Sequence, residues 1–162
     1  MSGRPVVDIK SYLFSFNGRI NRARYLFVSL IYLFITIAIV SLTLVFASPK
    51  RAGGDRMLDF LPLILLGAAL FAGAGWSWAA TTVKRLHDRN KSGWWMIPMF
   101  AVPFVLNLFA KEYLPAAFAM SSGLIAAAIG LWSFIETICL RGTRGANRYG
   151  PDPLPKTRRL FA

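Results

Sequence analysis

Residues 26–47 read LFVSLIYLFITIAIVSLTLVFA, 22 residues without a charge. A hydrocarbon core about 30 Å thick is crossed by about 20 apolar residues in a helix. The run therefore spells a transmembrane helix, and three more follow it. Residues 58–83 carry one charge, Asp59, at their edge; residues 94–110 carry none and are the shortest; residues 116–140 carry Glu136 alone. In lipid such stretches must be helical, because open strands would leave backbone groups unpaired. A transmembrane barrel would show short alternating segments instead. The expected fold is all-α: a single membrane domain, residues 1–162, built as a four-transmembrane-helix bundle. Residues 1–25 form a cytoplasmic tail with a short interfacial helix, and residues 141–162 a second cytoplasmic tail.

Composition agrees. Apolar residues make up 56% of the 162, and the charges sit in blocks between the long runs, unlike a soluble domain of this size. Val45-Phe46-Ala47 resembles a signal-peptide cleavage site, but the apolar run and the 25-residue tail before it are too long for one, so the run is read as a span. Cys139 is the sole cysteine, which excludes an intrachain disulfide and a cysteine cluster for zinc.

Charge placement sets the orientation. Of 19 Lys and Arg, fifteen lie in the N-terminal tail, in the segment between the second and third spans (Lys84, Arg85, Arg89, Lys91) and in the C-terminal tail; Lys50, Arg51, Arg56 and Lys111 lie in the other two loops. The positive-inside rule puts the fifteen, and both termini, in the cytoplasm. The net charge of +12 then follows from orientation and from attraction to anionic lipid heads. No RNA-binding or helix-turn-helix pattern accompanies it, so no nucleic-acid partner is expected.

Small residues at four-residue spacing, Ala69, Gly73, Ser77 and Thr81 on the second span and Ser122, Ala126 and Gly130 on the fourth, suggest close helix contacts. Pro98 and Pro103 should loosen the third span. Tyr25, Trp94 and Trp95 sit at span ends, where amphipathic rings favour the interface.

Three short motifs flank the spans on the basic side. Phe16-Asn17-Gly18-Arg19-Ile20-Asn21-Arg22-Ala23-Arg24-Tyr25 precedes the first, with Asn21 as N-cap. Upstream, Ile9, Tyr12, Leu13 and Phe16 give a short helix an apolar face. Arg85-Leu86-His87-Asp88-Arg89-Asn90-Lys91-Ser92-Gly93-Trp94-Trp95 reads as a helix end, a tight turn, and Ser92 as cap of the third span. Gly142-Thr143-Arg144-Gly145-Ala146-Asn147-Arg148-Tyr149-Gly150-Pro151-Asp152-Pro153 reads as a fixed loop. Together, and in this order, the motifs resemble those of the domain of unknown function 805 family, bacterial inner-membrane proteins that include the YhaH-like proteins. The resemblance covers roughly residues 10–155. It implies an integral protein of the bacterial cytoplasmic membrane and carries over no activity, substrate or catalytic residue.

The residues themselves limit the chemistry. His87-Asp88 resembles the core of a metal phosphohydrolase signature, but His87 is the sole histidine, so an ordinary zinc or iron site is not expected. A Ser92, His87, Asp88 triad is poor, since adjacent helical residues point about 100° apart. No catalytic residue, metal or cofactor is assigned. The architectural reading has Asp88 pairing with Arg19 or Arg22, His87 bonding across the cap, and Asn147 and Tyr149 packing over the Ser92–Gly93 turn. The ligand reading has Arg19, Arg22, Arg85, His87, Asp88 and Arg89 holding an anionic lipid head or a phosphorylated ligand. Glu136, the acid inside a span, is a functional candidate by default, and Lys84 or Arg85 is its expected partner. The leading expectation is a non-enzymatic binding module whose basic cap takes anionic lipid, a phosphorylated ligand, a partner membrane protein or a second copy. The alternative is a small transporter or channel using Glu136, and a membrane-embedded enzyme comes third.

Overall fold

A computed structural model of the chain describes residues 9–46, 61–113 and 115–154. The described residues are nearly all helical and contain no strand, with one isolated bridge between Asn147 and Gly150. The helices are α1 (Ile9–Phe14), α2 (Arg22–Phe46), α3 (Leu61–Asp88), α4 (Val102–Tyr113) and α5 (Ala116–Phe134). A 3₁₀ turn, Gly93–Trp95, and a π-helical turn, Ile97–Ala101, lead into α4, and a second π turn, Ile135–Cys139, follows α5. Among the described residues four segments are long and apolar enough to cross a membrane: Arg22–Val45, Ile64–Asp88, Gly93–Ala110 and Phe118–Cys139. The loop at 48–57, expected on the opposite side to the basic cap, lies outside the described residues.

The boundaries have local causes. Asn21 caps α2 as expected: its Oδ1 accepts from Arg24 N at 2.9 Å and its carbonyl from Tyr25 N at 3.0 Å. The helix therefore starts at Arg22, before the apolar run does. α3 continues five residues beyond the expected span end at Val83, because Lys84, Arg85 and Asp88 are buried rather than exposed to water. It closes with Asn90 at φ 59°, Lys91 N bonding Leu86 O at 2.9 Å and Asn90 N bonding His87 O at 3.0 Å. This is a Schellman ending with Asn in the left-handed position usually given to Gly. Ser92 does precede the next turn, but its side chain makes no capping bond. Pro98 falls in the π turn and Pro103 near the start of α4, so the third span passes from 3₁₀ through π to α form around the positions where backbone donors are missing.

The chain forms two compact units. The first contains the described residues 9–15, 26–46 and 61–80. In it Tyr32 Oη bonds Ser77 Oγ, and Ser77 Oγ donates to Leu13 O at 2.8 Å, tying α1 to α2 and α3. Ala69 and Gly73 are exposed, and a Cβ at Gly73 would meet nothing within 4 Å. The expected tight stripe thus holds at Ser77 and Thr81, which are buried, and fails at its other end.

The second unit contains the described residues 16–25, 81–113 and 115–154. Here α4 packs on α5, and Ser133 Oγ bonds Met99 O at 3.1 Å. Ser122 and Ala126 are buried, whereas Gly130 is exposed. Tyr25, expected at the membrane interface, is instead buried, its hydroxyl 3.3 Å from Thr82 Oγ1.

Candidate functional site

The basic end of the second unit is a polar core built from all three motifs. Asp88, at the end of α3, is its centre. Its Oδ1 accepts from Arg19 Nε at 3.1 Å and from an Arg19 terminal nitrogen at 2.9 Å, and its Oδ2 accepts from Arg85 at 2.5 Å. The three side chains are 1%, 0% and 3% exposed for Arg19, Arg85 and Asp88. Charges so far removed from water persist only when their hydrogen-bonding capacity is filled.

That capacity is filled by the tail. Arg19 also donates to the carbonyls of Thr143 (2.6 Å), Gly145 (2.7 Å) and Gly150 (3.3 Å). A guanidinium has five N–H donors, and Arg19 uses every one. Arg85 donates to Thr137 O at 2.6 Å and to Leu140 O. Thr143 returns the link, its N and Oγ1 bonding Asp88 O at 2.8 and 3.0 Å. Gly142 lies so close that a Cβ there would sit 1.9 Å from Asp88 Oδ2.

The tail is locked by its own turn. Asn147 Oδ1 accepts from Tyr149 N, and Asn147 and Gly150 exchange both backbone bonds. Asn147 Nδ2 donates to His87 O and to Thr143 Oγ1, each at 2.9 Å. Tyr149 stacks flat on the His87 ring, centroids 3.8 Å apart, and the Arg148 guanidinium lies over the Tyr149 ring, 4.7 Å from its centroid. His87 Nδ1 is 3.3 Å from Gly18 O. His87 and Asp88 are thus structural neighbours held in different directions, not a triad. Asn147 and Tyr149 pack over the His87 end of α3; Gly93 is occupied instead by Val83, whose methyls would lie 3.1 Å from a Cβ there. The tail reaches α3 first because its turn presents donors to the last carbonyls of that helix.

Glu136 corrects a second expectation. Its Oε1 accepts from Arg89 Nε at 3.0 Å and Lys91 Nζ at 3.1 Å, not from Lys84 or Arg85. Arg85 is committed to Asp88, and the Schellman turn swings Arg89 and Lys91 back toward α5. The π turn at Ile135–Cys139 adds a residue to that helical turn and presents Glu136 to them. Lys91 also lies over the rings of Trp95 and Trp132, at 4.8 and 5.3 Å, and Arg89 bonds Arg141 O.

Of the expected ligand-binding residues, Arg19, Arg85 and Arg89 are therefore engaged in internal bonds. Arg22 is not buried, and its side chain makes a long bond, 3.4 Å, to Cys139 O. It lines a cleft of about 330 Å³ together with Asn21, Ala23, Asp88 and the tail residues Arg141, Gly142, Thr143, Arg144, Asp152, Pro153 and Leu154. Arg141 and Arg144 were not singled out from sequence. The signal was present in their placement on either side of Gly142-Thr143, the pair tied to Asp88. Among the described residues no group of three or more His, Cys, Asp and Glu is placed to hold a metal ion.

Comparison with known proteins adds a lineage. The family described as "Protein of unknown function (DUF805)" matches residues 13–151. The Escherichia coli K12 protein YiiR is 30% identical over 147 residues, covering 90% of each chain. The inner membrane protein YhaH of the same strain is 29% identical over 145 residues, covering 90% of this chain and 91% of its own. The inner membrane protein YhaI is 27% identical over 147 residues, covering 90% of each. No solved structure matches.

Proposed function

The chain belongs to the DUF805 family, and from that premise we propose that it is an integral protein of the bacterial cytoplasmic membrane whose basic cytoplasmic cap binds anionic groups. The family relatives YhaH and YhaI carry an inner-membrane location in their names. The four membrane-capable segments and the one-sided charge distribution support a four-span bundle with both termini inside.

One observation carries the binding reading. The arginines fall into two sets, with different surroundings. Arg19 and Arg85 are consumed by Asp88 and by tail carbonyls. Arg22, Arg141 and Arg144 line an open cleft beside them. A rigid polar core with three further arginine residues lining one cavity is suited to hold an anion, since the planar fork of Arg matches carboxylate and phosphate oxygens. The Glu136 path is the weaker reading, because that carboxylate is already held by two cations.

The test is a stability titration of the purified protein in mild detergent, with anionic or zwitterionic phospholipid added at rising salt. A ligand present at one hundred times its Kd stabilises by about 2.7 kcal/mol. Anionic lipid should raise the unfolding midpoint, with the gain shrinking as salt rises. Equal effects of the two lipids at low salt would remove the proposal.

A further inference from the structure

We infer that the cleft is a site for an organic phosphomonoester, a terminal phosphate group on a small organic carrier, taken up at the level of the lipid head groups. The inference rests on the anion-binding reading above and gives it a chemical class.

Charge comes first. Arg22, Arg141 and Arg144 line the cleft, with Asp88 and Asp152 as the lining acids. Asp88 is balanced twice over by Arg19 and Arg85, and Asp152 accepts from Gly145 N and Leu154 N at 3.0 and 2.9 Å. The cavity therefore keeps a clear positive excess. A phosphomonoester carries roughly −1.5 to −2 at neutral pH and three terminal oxygens. A phosphodiester carries a single negative charge and two free oxygens, and so leaves more of the cluster uncompensated.

The arms are held in advance. Thr143, between Arg141 and Arg144, is fixed to Asp88 O by two bonds, and Arg141 O accepts from Arg89. Arg22 opens α2 directly after its Asn21 cap. Binding then orders side chains without ordering backbone, which lowers its entropic cost. Ala23, Pro153 and Leu154 complete the lining and give the organic carrier an apolar wall.

Depth points the same way. The apolar segments begin at Arg22 and end at Cys139, and the cleft is lined by Arg22 and Arg141, so it lies where the spans meet the head groups. A lipid monoester of the phosphatidic acid type and a soluble ester such as glycerol 3-phosphate share the recognised group, and experiment separates these sources.

The full chain is placed in nanodiscs of zwitterionic phosphatidylcholine, doped with equal fractions of either phosphatidic acid or phosphatidylglycerol. Retained lipid is quantified by mass spectrometry. Glycerol 3-phosphate is added separately to undoped discs and its binding measured at equilibrium. A monoester preference of at least about tenfold is expected, an equilibrium difference of about 1.4 kcal/mol. It should be lost in Arg141→Gln with Arg144→Gln and kept in Arg24→Gln, which lies outside the cleft lining. Binding of phosphatidic acid without binding of the soluble ester assigns the lipid source; tight binding of the soluble ester assigns the other, and both support the inference. Should the double variant lose helicity, Arg144→Lys keeps the charge but not the fork and should cut the preference several-fold. Equal retention of the two anionic lipids overturns the monoester class while leaving the anion reading in place. No retention of either, or retention unchanged in a well-folded double variant, overturns both.

Discussion

Replacing Gly142 by alanine adds one methyl group to the most constrained point of the cap. The added Cβ would lie 1.9, 2.4 and 2.7 Å from Oδ2, Cγ and Oδ1 of Asp88, all inside contact distance. The carboxylate cannot swing away cheaply, because Arg19 and Arg85 grip both its oxygens at 3% exposure. The tail cannot step back either, because Thr143 bonds the backbone of Asp88. Overpacking a tight interior costs about 1–3 kcal/mol, and parting a buried ion pair about 3–5 kcal/mol. Gly142→Ala should therefore destabilise by about 2–5 kcal/mol, between the partial and the full loss of the Asp88 contacts. Unfolding in a mixed-micelle denaturant titration measures it. The cause is checked by a cycle with Asp88→Ala, which removes the three atoms in conflict. Gly142→Ala should cost less than about 1 kcal/mol in that background, as for an unstrained substitution. A Gly142→Ala effect within about 0.5 kcal/mol of zero, or one additive with Asp88→Ala, would refute the geometry.

Three further expectations follow from other parts of the cap. Glu136→Gln leaves Arg89 and Lys91 facing a neutral amide; because these bases are about a quarter exposed, the loss should be about 1–3 kcal/mol, below the fully buried case, and the same titration reads it. Asn90, at φ 59°, should accept Gly with little change, while Asn90→Val should cost about 1–2 kcal/mol for the left-handed backbone; equal midpoints for the two would refute the Schellman ending. Topology reporters active only in the periplasm should be active when fused after Lys50 and Lys111 and silent after Lys91, and activity after Lys91 would overturn the charge-based orientation.

The helices were legible because hydropathy and the cap at Asn21 act over neighbouring residues. That Asp88 pairs with an arginine was legible too, since crowded positive charge needs an acid and few were at hand; the choice between Arg19 and Arg22 was not, nor was the second partner, Arg85. What sequence alone did not reveal depends on backbone that local patterns do not encode. The partner of Glu136 is set by a π turn and by the reversal at Asn90, neither of which has a strong residue signature. α3 runs past its apolar stretch to Asp88 because the cap buries the charged residues of its last turn. The same saturation of Arg19 explains why it is not a free ligand arm: its acceptors are carbonyls of Thr143, Gly145 and Gly150, and a carbonyl is present at every residue whatever the side chain.

Arg19 also imposes a schedule. Its bonds reach 69 residues forward to Asp88 and 124 to 131 forward to the tail. A chain made from its N-terminus exposes Arg19 first, Asp88 much later and Gly150 later still. Three of the five donors have no carbonyl partner until residues 143, 145 and 150 have each been synthesised, and closing so long a loop is entropically dearer than any contact within one helix. The insertion of each helix can proceed as it emerges, but the sealing of the polar core waits for the tail. A ribosome that stalls shortly after the fourth apolar segment leaves behind a protein whose buried arginine is still short of partners, and whose unfinished state is written in its electrostatics.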